Sequence, residues 1–130
     1  ENLIMPNRGK DMGDGWETKR RRGGRISDWI IVQLGAVGNI QKVVIDTAHF
    51  KGNFPDTFSL DACKLPKGEQ PSEHTQWTAV INKQKLTADA EHFYKDEVIS
   101  GEESFSHVRL NIFPDGGVSR LRVIGYPEGK

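Results

Sequence analysis

The chain of 130 residues has one cysteine, Cys63. That excludes an internal disulfide and any metal cage built from paired thiolates, and it suits a reducing compartment, so a cytoplasmic location is the expectation. An excess of charge of either sign is also missing. Lys and Arg number 18, Asp and Glu number 18, and the formal charge is zero. No global field exists to gather nucleic acid or an anionic membrane surface, and neither is expected as a partner. No apolar run approaches the roughly 20 residues that cross a bilayer, and there is no signal-peptide core. The chain starts at Glu1 and not at Met, which fits a fragment or a processed product.

Chemical signatures are equally sparse. G-x-S-x-G, Walker and dinucleotide fingerprints are all lacking, which removes the usual serine-nucleophile and nucleotide readings. His49, His74, His92 and His107 are scattered without zinc-type spacing, so no metal and no cofactor are expected. Asp11-Met12-Gly13-Asp14-Gly15 resembles the start of a calcium loop but has no bidentate Glu at EF-hand distance, and it is read as a turn.

What the sequence does have is period-two alternation. One domain, residues 1–130, is expected, with strands at Trp29 to Leu34, Ile40 to Asp46, Thr57 to Cys63, Trp77 to Ile81, Ser106 to Phe113 and Ser119 to Ile124. Gly-rich and Pro-rich stretches separate them, ending in P-D-G-G at Pro114 to Gly117. Phe58, Leu60 and Ala62 alternate with Ser59, Asp61 and Cys63, as on a half-buried strand. Lys85 to Tyr94 has too few apolar residues for a helix and is read as irregular, with one helical turn at most. The pattern predicts an all-β, jelly-roll sandwich of two antiparallel sheets.

Three clusters carry chemistry. In the last two strands Val108, Leu110 and Ile112 share a face with Leu121 and Val123, leaving His107, Arg109 and Asn111 with Arg120 and Arg122 on the other. If these strands pair as a hairpin, the arginines crowd one surface. Crowded like charges call for an anionic ligand, acidic side chains from elsewhere, or a partner subunit; a solvated face satisfies the pattern equally well. The second cluster runs from Gly15-Trp16-Glu17 into Lys19-Arg20-Arg21-Arg22, where the planar guanidinium forks of Arg20 or Arg21 suit a carboxylate or a ureido carbonyl. The third, Asp46-Thr47-Ala48-His49-Phe50-Lys51-Gly52-Asn53, sits where a strand runs into a loop, with His49 as an acid–base candidate.

These segments together resemble the allantoicase family: M-G-D-G-W-E-T-K-R-R-R at Met12 to Arg22, D-W-I-I-V-Q-L-G at Asp28 to Gly35, D-T-A-H-F-K-G-N at Asp46 to Asn53, and H-V-R-L-N-I-F-P-D-G-G-V-S-R-L-R-V at His107 to Val123. The resemblance implies a jelly-roll related to galactose-binding domains, present twice in the full-length protein, of which this chain is one repeat. The D-T-A-H-F-K-G-N segment looks closer to the second repeat. The implied activity is hydrolysis of allantoate to ureidoglycolate and urea. The implied partners are that small-molecule substrate, a second repeat and further copies in a homo-oligomer. Allantoate carries a carboxylate and two ureido arms, so its site needs cations and a proton donor. Residues with that chemistry are Arg109 and Arg120 (with Arg20 and Arg21) for the anion, Glu17 or His49 for protons, Lys51 and Asn53 for a ureido arm, and Asp115 for its N–H groups. The competing expectation is a non-catalytic galactose-binding-like module or a structural repeat, since one fold serves many functions.

Overall fold

The computed structural model describes residues 2–4, 16–17 and 28–129. Arg20, Arg21 and the Asp11–Gly15 turn lie outside the described residues, and of Glu17 only the backbone is described. The described residues form β1 (Trp16–Glu17), β2 (Asp28–Gly38), β3 (Lys42–Asp46), β4 (Thr57–Cys63), β5 (Thr78–Lys85), β6 (Glu91–Tyr94), β7 (Phe105–Phe113), β8 (Gly117–Val118) and β9 (Arg120–Ile124), with a 3-10 turn at Asn2–Ile4. All described pairings are antiparallel. A four-stranded sheet runs β2-β7-β4-β5, a three-stranded sheet runs β6-β3-β9, and β1 pairs with β8. This is the expected all-β jelly-roll sandwich, because alternating strands can each bury one face only by stacking two sheets.

The core lies between the sheets. Phe58, Leu60, Val108, Leu110 and Ile112 from the larger sheet meet Val43, Ile45 and Leu121 from the smaller, all buried. Strand β4 spans the predicted residues, and its alternation is clean except that Cys63, on the outward row, is buried too.

Strand β2 runs on to Gly38, past the predicted end at Leu34, and β5 to Lys85, past Ile81. Two further segments depart from the sequence reading. Lys85 to Tyr94 is not irregular throughout: Glu91–Tyr94 is a strand pairing with β3, Val43 opposite Tyr94 and Asp46 opposite Glu91. Its one inward aromatic, Tyr94, meets Phe58 edge-on at 4.9 Å, and its hydroxyl donates to the Lys85 carbonyl at 3.3 Å. Burial, with Glu97 nearby, pushes the phenol up to about 12. Four residues with one large buried side chain give no readable period, which is why the strand was not predicted.

The second departure concerns the final hairpin. Strands β7 and β9 do not pair; β7 lies between β2 and β4, whereas β9 lies beside β3 in the other sheet. Residues 114–119 carry the chain from one sheet across to the other. Arg109 and Arg120 therefore do not share a surface. Pro-Asp-Gly-Gly signals a reversal of direction, and a reversal serves a crossover between sheets as well as a hairpin within one.

Candidate functional site

At one end of the sandwich, strand β3 runs out into the loop of residues 47–56, and the crossover from β7 through β8 to β9 packs against that loop. The Ser119 N–H donates to the Asp46 carbonyl at 2.7 Å, and the Gly117 N–H donates to the Asn53 carbonyl at 2.8 Å. On its other side β8 pairs with β1, Glu17 facing Gly117 and Trp16 facing Val118. Three separate stretches of sequence thus meet within one ladder.

Glycine makes the meeting possible. Gly116 has φ 132°, and a Cβ there would fall 2.7 Å from the Phe54 carbonyl carbon and 2.8 Å from the Asn53 oxygen. A Cβ on Gly117 would fall inside the ring of Phe50, itself fully buried. Side chains at either position would push the crossover off the loop.

The loop is held from a second direction. His49 adopts φ 73°, and its N–H donates to Asp89 Oδ1 at 2.7 Å. The Asp89 N–H donates to the Phe50 carbonyl at 3.1 Å, and Thr47 Oγ1 donates to the Thr87 carbonyl at 2.7 Å. Left-handed backbone at His49 is tolerable because these partners over-determine it. The turn of residues 87–90, part of the stretch read from sequence as irregular, is therefore the clamp that orients the histidine loop.

The expected site residues divide in three. His49, Asn53 and Asp115 are half-buried and Lys51 is exposed on the loop and crossover, and the backbone of Glu17 lies beside them. Arg120 is at this end of the sandwich too, opposite Asp46 in the β3–β9 ladder, but only 1% exposed, with Nη1 donating to the Ser119 carbonyl at 2.7 Å. The guanidinium is thus enclosed where the two strand ends meet. Arg109 lies elsewhere, four residues, or about 14 Å of strand, back from Phe113. It contacts Asp61 at 3.0 Å and lies 4.6 Å from the Trp77 ring, and Asn111 donates to the same Asp61 oxygen at 2.9 Å. Its charge is met by a cross-strand carboxylate, which resolves the crowding that sequence left open.

Two residues were given no role in the sequence reading. Asp46 closes the loop, its Oδ1 accepting from the Ala48 N–H at 2.9 Å while the residue is 2% exposed. Asp89 holds His49. The signal for Asp46 was legible: a carboxylate ending the run Val43-Val44-Ile45 must find donors where it is buried. Asp89 had no such signal, since its importance rests on a contact 40 residues away.

A family model described as the allantoicase repeat matches residues 1–128. The chain belongs to the allantoicase family. A probable allantoicase of Stutzerimonas stutzeri is 50% identical over 127 residues, covering 95% of this chain and 38% of its own. An allantoicase of Dictyostelium discoideum is 47% identical over 134 residues, covering 99% of this chain and 36% of its own. The crystal structure of allantoicase from Saccharomyces cerevisiae superimposes with a TM-score of 0.80 at 44% identity, over 96% of this chain and 36% of that one. This allantoicase repeat thus spans well under half the length of the relatives it matches. The C-terminal domain of a Bacteroides fragilis chitobiase shares the fold at 17% identity, with a TM-score of 0.69.

The outer face of the larger sheet in this allantoicase repeat holds a buried histidine. His107 is 3% exposed, and its Nδ1 lies 2.8 Å from Ser106 Oγ, whose own proton goes to the Cys63 carbonyl at 3.3 Å. Nε2 is buried without a hydrogen-bond partner. Burial pushes the His107 pKa below its ordinary 6.5. The same burial raises the Cys63 thiol, partly offset by the Arg109 charge. A depressed histidine costs stability only where the unfolded chain is protonated and the fold is not. Stability is thus full above about pH 6.5 and falls as pH drops from there toward the folded value, with a slope of at most about 1.4 kcal/mol per pH unit for one proton. Urea denaturation at a series of pH values is expected to show a steeper loss below 6.5 for the wild type than for His107→Gln. Parallel curves would mean that His107 titrates normally.

Proposed function

We propose that the protein carrying this repeat hydrolyses allantoate to ureidoglycolate and urea, and that the end of the sandwich around residues 46–53 and 115–120 contributes to its active site. The observation that supports the reading most directly is the ladder joining β1, β8 and the residue 46–53 loop, which gathers three of the four segments that resemble the family. In the reaction the bond between the central carbon and one ureido nitrogen breaks. Water oxygen ends on that carbon, and the departing urea nitrogen takes a proton.

Lys51, exposed on the loop, offers a cation for the substrate carboxylate, and Arg20 or Arg21 would add a planar fork. His49 or Glu17 supplies the proton. The Asn53 amide and the Asp115 carboxylate pair with ureido carbonyl and N–H groups. Arg120 is a positioning residue in this reading, holding the strand ends from which loop and crossover depart, and Arg109 is left out because its sheet carries it away from the others. A second repeat and homo-oligomeric assembly belong to the same proposal, as does assignment to hydrolases of linear ureido C–N bonds.

Urea release by the full-length protein tests it. General acid–base groups contribute roughly 100-fold to 10,000-fold, so either His49→Ala or Glu17→Gln is expected to lower kcat by at least about 100-fold. Lys51→Ala is expected to raise KM for allantoate about 10-fold with a smaller change in kcat. Unchanged turnover in both the His49 and the Glu17 variants removes this end of the sandwich from the chemistry, and allantoate binding without turnover by the wild type favours a binding module.

A further inference from the structure

Side chains from other elements hold the backbone of Thr87 at both its N–H and its carbonyl. The N–H donates to His92 Nε2 at 2.9 Å, with the Thr87 hydroxyl 2.8 Å from the same nitrogen, and the carbonyl accepts from Thr47 Oγ1 at 2.7 Å. Thr47 is fully buried, and its Oγ1 accepts in turn from the Ala90 N–H at 3.1 Å. The other nitrogen of the His92 ring, Nδ1, lies 3.0 Å from the Ile45 carbonyl. A backbone N–H can only donate and a backbone carbonyl can only accept, so the ring carries its hydrogen on Nδ1 and presents a lone pair at Nε2. His92 thereby ties the turn of residues 87–90 to β3 at Ile45, two positions before Thr47.

What this turn holds is His49. Among the described residues two that are not glycine have left-handed backbone, His49 at φ 73° and Asp89 at φ 49°, and each bonds to the other's loop: the His49 N–H to Asp89 Oδ1, the Asp89 N–H to the Phe50 carbonyl. Such conformations persist where the surroundings over-determine them, and they cluster at functional sites. The direction of the His49 side chain depends on its φ, and a return to the common range near about −65° would point the imidazole elsewhere. The start of the turn is fixed independently, by buried Leu86, whose N–H donates to the Asp56 carbonyl at 3.0 Å. Beyond that anchor, order passes from His92 and Thr47 to Thr87, then to Asp89 and His49.

On the reading above, in which His49 supplies the proton, we propose that His92 is a positioning residue for the reaction: it fixes the turn of residues 87–90 and, through Asp89, the direction in which His49 is presented. A misdirected proton donor leaves the groups that bind the substrate in place, so its loss falls on kcat and not on KM. The two ring nitrogens can be separated chemically. Glutamine places its amide oxygen near the position of Nε2 and can accept from the Thr87 N–H. Asparagine places its amide nitrogen near Nδ1, which keeps the bond to Ile45, and is too short to reach Thr87. The clamp is the Nε2 half, so glutamine serves in place of His92 and asparagine does not.

Urea release by the full-length protein, corrected for the folded fraction, tests this together with hydrogen exchange. His92→Asn is expected to lower kcat at least about 10-fold with KM for allantoate within about 3-fold, and His92→Gln to stay within about 3-fold of the wild type in both. In His92→Asn, exchange in peptides spanning residues 47–53 and 86–91 should quicken at least about 10-fold while peptides from β4 and β7 keep their wild-type rates. Asp89→Ala breaks the next link, so His92→Asn/Asp89→Ala should be no more than about 3-fold slower than the slower single variant. Equal losses in the Asn and Gln variants, exchange quickened throughout the chain, or losses that multiply in the double variant overturn the proposal. An unchanged kcat in His92→Asn overturns it too: beside an impaired His49→Ala the role given to His49 stands, and beside an unimpaired one that role falls with it.

Discussion

Gly117→Ala is expected to lower the thermal midpoint by about 10 °C or more. The added methyl would occupy the Phe50 ring, and Phe50, fully buried, has nowhere to go without moving the loop of residues 47–53. Overpacking of this kind costs about 1–3 kcal/mol and occasionally more, and at this chain length each 1 kcal/mol moves the midpoint by about 3–6 °C. Because the Gly117 N–H also donates to the Asn53 carbonyl, relief by sliding β8 outward would break the ladder that joins β1 to the loop. Activity in the full-length protein should therefore fall more than the fraction unfolded accounts for. Gly52→Ala is the internal control, since a Cβ there meets nothing within 4 Å and its φ is not in the left-handed range. It should melt within about 2 °C of the wild type. Gly117→Ala/Phe50→Leu should regain part of the loss, because the smaller side chain vacates the volume that the methyl needs. A Gly117→Ala midpoint as close to the wild type as the Gly52 control would show that the crossover does not lie against Phe50.

Arg120→Met should be nearly as damaging, and for an electrostatic reason. Among the described residues the side chain is the bulkiest of those fully buried, and its Nη1 donates to the buried Ser119 carbonyl at 2.7 Å. Methionine matches the volume but removes both the charge and that donor. Leaving a buried polar group without its partner costs about 1–3 kcal/mol, and more where the lost partner is charged. Denaturant titration of Arg120→Met is therefore expected to show a loss of at least about 2 kcal/mol. A loss below about 0.5 kcal/mol would mean that the guanidinium satisfies nothing that a neighbour or water cannot replace. Arg120→Lys keeps the charge and loses the fork, so it should fall between wild type and Arg120→Met in stability.

These two sites show where reading the sequence succeeded and where it failed. Gly117 stood out as part of P-D-G-G, and its role as a reversal was legible because glycine pairs recur where the chain turns sharply. Which strand the reversal led to was not, since the local signal is the same for a hairpin and for a crossover. Arg120 was legible as the polar member of an alternating strand, and from alternation alone it belonged with Arg109 on a solvated face. Burial reversed the first point and sheet membership the second. Glu91–Tyr94 escaped notice because four residues with one inward aromatic are too short to display a period, and Asp89 because a single hydrogen bond to His49 has no sequence signature.

The sequence by itself determined the class of fold and most of the strand positions, because period-two alternation and turn chemistry act over a few residues. It also determined kinship, because four segments in order along the chain identify a family that no single segment could. The tertiary structure alone decided which strands are neighbours, and that Arg109 is matched to Asp61 while Arg120 is enclosed opposite Asp46. Those outcomes depend on pairings between residues tens of positions apart. Their energies arise from burial and from charges brought close in space, and neither is encoded at any one position of the chain.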